Sequence, residues 1–240
     1  MTEDKHWDEY HSCDLPAASR DSNWPLKTKN QQMQIKVCGM RDPENIRALE
    51  NVVQPDWMGL IFYAKSPRFV PSIKAVEIAD ASLPKVGVFV NESIANVLDK
   101  IDRFDLSAVQ LHGSESPEFV RELKLRTNKK LWKVVSVGDS INWNELKEYV
   151  GLVEYFLFDT ATKSHGGSGE QFNWQILKSY PFEVPFILSG GIDGDSAEAL
   201  IRFAEDAPQL KGIDLNSKFE DAPGVKNIER LKSFKDKLLS

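Results

Sequence analysis

The sequence predicts an α/β chain folded as a single (β/α)8 barrel behind an irregular N-terminal extension, and three observations predict it. Beyond residue 34, short apolar runs alternate with stretches carrying helix-start chemistry, the pattern of repeated βα units around a parallel sheet. Eight such runs can be counted. The chain's 240 residues suit a barrel of roughly 250 residues, although one or two domains of about 100–200 residues would fit as well.

The elements follow in order. Residues 1–33 hold His6, Trp7, His11, Trp24 and Pro25 among charges, Ser and Asn, with neither a helical nor a strand period, and read as a tail. The expected strands are 35–40, 57–63, 85–90, 108–112, 131–137, 155–160, 186–192 and 212–216. Between them Asp42, Ser72, Asn91 or Ser93, Ser116 and the stretch 193–195 are expected helix caps, and Pro43 and Pro117 stand at first helical positions. The last segment, 226–239, places Ile228, Leu231, Phe234 and Leu238 at steps of three and four, a stripe for packing on a barrel wall. Eight strands and eight helices give a TIM-type barrel. A doubly wound sheet is the alternative, because periodicity alone does not close a sheet.

Composition excludes several classes. Lys and Arg number 30 against 36 Asp and Glu, a net charge of −6, so nucleic-acid binding through a basic face is not expected. With 41% hydrophobic and 28% charged residues, the chain is not disordered or collagen-like. The two cysteines, Cys13 and Cys38, do not make a disulfide framework. No run reaches about 18 apolar residues, and residues 1–10 are charged and polar where a secretory signal would be apolar. A cytoplasmic protein with no membrane partner is expected. His6, His11 and His165 lack metal-ligand spacing, so no metal is expected either.

In such barrels chemistry sits at the C-terminal strand tips. Two-residue alternation puts Lys36 and Cys38 on one face of the first strand, Gln110 and His112 on one face of the fourth, and Asp214 and Asn216 on one face of the eighth. On the sixth, Phe156 and Phe158 face the helices and Asp159 faces the barrel mouth. A thiol and a carboxylate at two tips suit a general base and a general acid. Lys36 beside Cys38 would lower the thiol pKa; the plainer reading of Cys38 is a small buried hydrophobe.

Gly166-Gly167-Ser168-Gly169 follows the sixth strand, and Ser189-Gly190-Gly191 ends the seventh. Such glycines admit backbone N–H groups to an anion, and barrel phosphates commonly sit by the loops after strands 7 and 8, where Asn216-Ser217 adds donors. Singly, each glycine pair also reads as a turn. Arg68, after the second strand, suits bidentate pairing with a carboxylate or a solvated surface. His112 reads equally as a substrate contact or a satisfied core histidine.

Taken in order, Lys36-Val37-Cys38-Gly39, the stretch 62–70, Gly87-Val88-Phe89-Val90-Asn91, Gln110-Leu111-His112-Gly113, 166–169, Ser189-Gly190-Gly191-Ile192 and Gly212-Ile213-Asp214 resemble phosphoribosylanthranilate isomerases of tryptophan biosynthesis. The resemblance covers 35–240. It implies a cofactor-free Amadori rearrangement of N-(5-phosphoribosyl)anthranilate to 1-(2-carboxyphenylamino)-1-deoxyribulose 5-phosphate, with a phosphorylated small molecule as partner and a monomeric or homodimeric state. By position, Asp159 resembles the general acid and Cys38 the general base. Arg68 matches the anthranilate carboxylate site, and Asp214, with His112, the substrate-binding positions. Gly190, Gly191, Asn216, Ser217 and Gly167 match the phosphate site. Ser168, Asn173 and Asn216 depart from the common Thr, Asp and Ser.

Other phosphate-binding barrels, such as a sugar-phosphate epimerase or the related histidine-pathway isomerase, would use a different acid–base pair, typically two carboxylates. A barrel kept only as a ligand binder or scaffold would be expected to lack Cys38 or Asp159.

Overall fold

Eight parallel strands close on themselves in the computed structural model, which describes residues 33–160 and 173–240. They are β1 (Gln34–Val37), β2 (Trp57–Ile61), β3 (Lys85–Phe89), β4 (Ala108–Leu111), β5 (Lys130–Val137), β6 (Tyr155–Thr160), β7 (Phe186–Leu188) and β8 (Leu210–Leu215). Each pairs with the next and β1 pairs with β8, which rules out the doubly wound alternative. Residues 1–32, which include nearly all of the expected extension, and the glycine stretch 166–169 lie outside the described residues.

All eight expected strands are present, with altered ends. β1 stops at Val37 and β7 at Leu188, short of 40 and 192, because Gly39, Gly190 and Gly191 adopt φ of 79°, 83° and 66°, which a strand cannot hold. β8 begins two residues early, at Leu210.

Helices α1 (Pro43–Ala48), α3 (Ile94–Phe104) and α4 (Pro117–Arg126) start at Asp42, Ser93 and Ser116, whose side chains accept from the backbone N–H three residues on. Two expected caps need correction. Ser72 opens a 3-10 turn ahead of α2 (Ala75–Ala79), with Pro71 in the cap position. At α6 (Ala197–Asp206) Ser196 is the cap and makes no capping bond; its hydroxyl donates to Asp193 Oδ1, which also accepts from Asp195 N.

The eight expected helices are reduced as well. α5 (Trp143–Leu146) is a single turn, and β6 is followed, among the described residues, by a 3-10 segment, Trp174–Ser179. The final helix α7 (Ile228–Leu239) buries Leu231, Phe234 and Leu238 as its stripe requires. Lys226 is not part of it. Instead Glu220–Ala222 (β9) and Val225–Lys226 (β10) form a small antiparallel hairpin beyond β8 that the strand count did not foresee.

Two apolar layers hold the barrel. Ile35, Val37, Phe156, Phe158, Ile213 and Leu215 face outward into the continuous core under the helices. Inside, Trp57, Trp132, Tyr155 and Leu157 join Val86, Ala108, Val134 and Ile187 to fill the lumen. The Trp57–Trp132 and Trp132–Tyr155 ring pairs meet edge to face at 5.2 and 5.1 Å, a favourable quadrupole geometry. Among the described residues these side chains fill the lower part of the barrel.

Candidate active site

Barrel closure creates the first contact of the site. The β1–β8 register sets Lys36 opposite Asp214, and both side chains point inward; Lys36 Nζ donates to Asp214 Oδ1 at 2.8 Å with both groups nearly inaccessible to water. Burial works to lower the Lys36 pKa, but the Asp214 carboxylate and the Cys38 sulfur prevail and raise it. The ammonium is thus a fixed positive charge beneath the mouth.

Cys38 follows Lys36 on the same face, 4% exposed, its N–H donating to Leu215 O at 2.9 Å. Gly59, in the middle of β2, gives it room: a Cβ there would lie 2.8 Å from Cys38 Sγ and 3.0 Å from Lys36 Nζ. The expectation that Lys36 depresses the thiol pKa is corrected. Burial pushes the Cys38 thiol up and outweighs Lys36, with Asp214 adding to the rise and Lys226 opposing it.

Asp159, next to last in β6, has about a fifth of its side chain exposed, and Phe156 and Phe158 point to the helices as alternation requires. His112 Nε2 lies 3.6 Å from Asp159 Oδ2, and His112 Nδ1 lies 3.3 Å from the Gln110 amide. Burial pushes the Asp214 carboxyl up; Lys36, which donates to it, works against that rise, and Asp159 adds to it. Gly190 presses its backbone against the tip of β6; a Cβ would lie 2.3 Å from Thr160 Oγ1 and 3.1 Å from Asp159 Oδ1.

Arg68 is 8% exposed, so it is not a solvated surface cation, and one edge of its guanidinium is already paired. Its Nε lies 2.9 and 3.0 Å from the Glu220 oxygens, and its Nη2 donates at 2.6 Å. Its stem crosses Gly39, where a Cβ would meet Arg68 Cδ at 2.7 Å and Asn216 Oδ1 at 2.9 Å. Lys226, buried on β10, donates to Asn216 Oδ1 at 2.9 Å and to Glu220. Asn216 is therefore engaged through its side chain, and Ser217 opens a short 3-10 turn, Ser217–Phe219. Gly167 lies outside the described residues.

The sequence reading missed Gly59, Glu220 and Lys226. A glycine inside the apolar run 57–61 signals close approach, and Pro223-Gly224 signals a turn, so two of the three positions carried a local mark. Glu220's partner, 152 residues away, carried none.

A family model described as N-(5'phosphoribosyl)anthranilate (PRA) isomerase matches residues 35–237. The chain belongs to this family. A relative from Parabacteroides distasonis, an N-(5'-phosphoribosyl)anthranilate isomerase, is 44% identical over 211 residues, covering 86% of this chain and 94% of its own. The phosphoribosyl anthranilate isomerase of Thermotoga maritima superposes with a TM-score of 0.73 at 29% identity, over 86% of this chain and 98% of that one. A solved isomerase in complex with reduced 1-(o-carboxyphenylamino)-1-deoxyribulose 5-phosphate gives a TM-score of 0.70 at 27% identity, with the same coverage. This barrel spans nearly the full length of these PRA isomerases.

Proposed function

We propose that the chain converts N-(5-phosphoribosyl)anthranilate to 1-(2-carboxyphenylamino)-1-deoxyribulose 5-phosphate with Asp159 as general acid and Cys38 as general base. What supports the assignment is position: Cys38 follows Lys36, which bonds Asp214, beyond the C-terminal end of β1, and Asp159 lies beside His112 at the C-terminal end of β6 of the same closed barrel. Asp159, part-exposed beside His112, would give a proton to the furanose ring oxygen as the C1–O bond breaks and the anthranilate nitrogen lone pair forms the C1=N bond. Cys38, as thiolate, would then take the C2 proton. The C2–H electrons form C1=C2 and neutralise the iminium, and tautomerisation places the carbonyl at C2. No net oxidation occurs.

Lys36 supports the base without competing for it, because Asp214 already holds the ammonium. The phosphate would rest on the loops after β7 and β8, at Gly190, Gly191, Asn216 and Ser217, and the anthranilate carboxylate on Arg68. Fixing both anionic ends places the sugar between acid and base, and orientation of this kind supplies a large part of a barrier reduction. The test is a fluorescence assay following consumption of freshly generated phosphoribosylanthranilate. Wild-type turnover with loss in Cys38→Ser and Asp159→Asn supports the assignment; near-normal turnover in either variant overturns that residue's role.

A further inference from the structure

The carboxylate of Glu220, its side chain 5% exposed, has no part in the proposed acid–base chemistry, yet two of its partners are buried cations at this end of the barrel. It receives the Nε/Nη2 edge of Arg68, the ammonium of Lys226 and the Gly224 N–H at 3.1 Å. Lys226 in turn donates to Asn216 Oδ1 at 2.9 Å. A guanidinium has two edges able to grip a carboxylate, and Glu220 takes the one containing Nε. Glu220 bonds only Nε and Nη2, and Nη1 makes no hydrogen bond among the described residues, so Glu220 leaves the Nη1/Nη2 edge unused.

We infer that Glu220 is a positioning residue for substrate selection: by clamping one edge of Arg68 it aims the other at an aromatic carboxylate. This rests on the PRA isomerase reading of the site. Charge supports it, since Arg68 and Lys226 against Glu220 leave one net positive charge at this end, matched to a single carboxylate. Freed from Glu220, Arg68 would lose its fixed plane and face an unneutralised Lys226.

The experiment compares two stable ligands made by reductive amination of ribose 5-phosphate, one with anthranilate and one with aniline. They differ only in the carboxylate. Calorimetric Kd values are measured for the full-length wild type and Glu220→Gln. The variant should weaken the anthranilate-derived ligand roughly 10- to 100-fold, the range for a misplaced binding group, and leave the aniline-derived ligand within about twofold. Equal weakening of both ligands would make Glu220 merely structural, and no weakening, or tighter binding, would also overturn the inference. Should Glu220→Gln not fold, Glu220→Asp, which keeps the charge but shortens the arm, must show the same selective loss. Wild-type protein that binds neither ligand overturns the PRA isomerase reading itself, a result distinct from any variant's.

Discussion

Cys38 sits in a place that opposes its own ionisation, since burial raises the thiol pKa while Lys36 and Lys226 only partly offset it. The proposed base is therefore scarce as thiolate at neutral pH, and kcat/KM should climb as pH rises through the alkaline range. Removing the thiol in Cys38→Ser should lower kcat by orders of magnitude with KM little changed, as for a group acting only in the transition state. A pH profile that is flat in the wild type, or an alkaline limb that persists in the variant, would count against Cys38. Gly59 provides a separate probe: Gly59→Ala puts a methyl against Sγ and Nζ, and should reduce turnover more than it reduces thermal stability. Gly39→Ala combines a φ of 79° with a Cβ contact of 2.7 Å to Arg68, and should cost about 1–3 kcal/mol in urea unfolding.

The elements around the mouth are tied by buried ion pairs whose loss should be measurable. Glu115 accepts from the Asn91 and Gly113 N–H groups and from Lys133 on β5, so one carboxylate fastens the loops after β3 and β4. Glu115→Ala would leave Lys133 buried without its counter-charge and should cost about 3–5 kcal/mol, read as a lower urea midpoint. The β9–β10 hairpin has its own pH signature. Burial acts to raise the Glu220 pKa, but the Arg68 bonds and then Lys226 prevail and hold it below the usual carboxylate range. A carboxyl depressed in the folded state stabilises above its unfolded pKa of about 4.3 and loses that contribution as pH falls toward the folded value. The wild type should thus lose more stability than Glu220→Gln between about pH 5 and pH 3, and identical acid titrations would refute the linkage. Cap chemistry made α1, α3 and α4 legible from Asp42, Ser93 and Ser116, because a cap is a bond over three residues. The hairpin was not legible as a site element, because Glu220 meets Arg68 across 152 residues, and only closure of the barrel brings the loop after β2 to the hairpin beyond β8.

At the scale of the molecule, closure lies wholly within the described residues, with β1 starting at Gln34 and pairing to β8. Deleting residues 1–31 should therefore leave the far-UV spectrum and turnover of the barrel intact; insoluble or inactive truncated protein would show that the extension is needed. The sequence by itself determined the order of eight apolar runs, the start of three helices, and the inward facing of Lys36, Cys38, Gln110, Asp159 and Asp214. Those are consequences of two-residue alternation and short-range hydrogen bonding, which neighbouring residues dictate. Only tertiary structure decided which inward groups meet. Lys36 reaches Asp214 across 178 residues because the β1–β8 seam closes in one register, and Arg68 meets Glu220 across 152 because β9, beyond β8, carries that carboxylate to the loop after β2. Desolvation at that seam then reversed the expected shift of the thiol, since burial is a property of the closed barrel and of no segment within it.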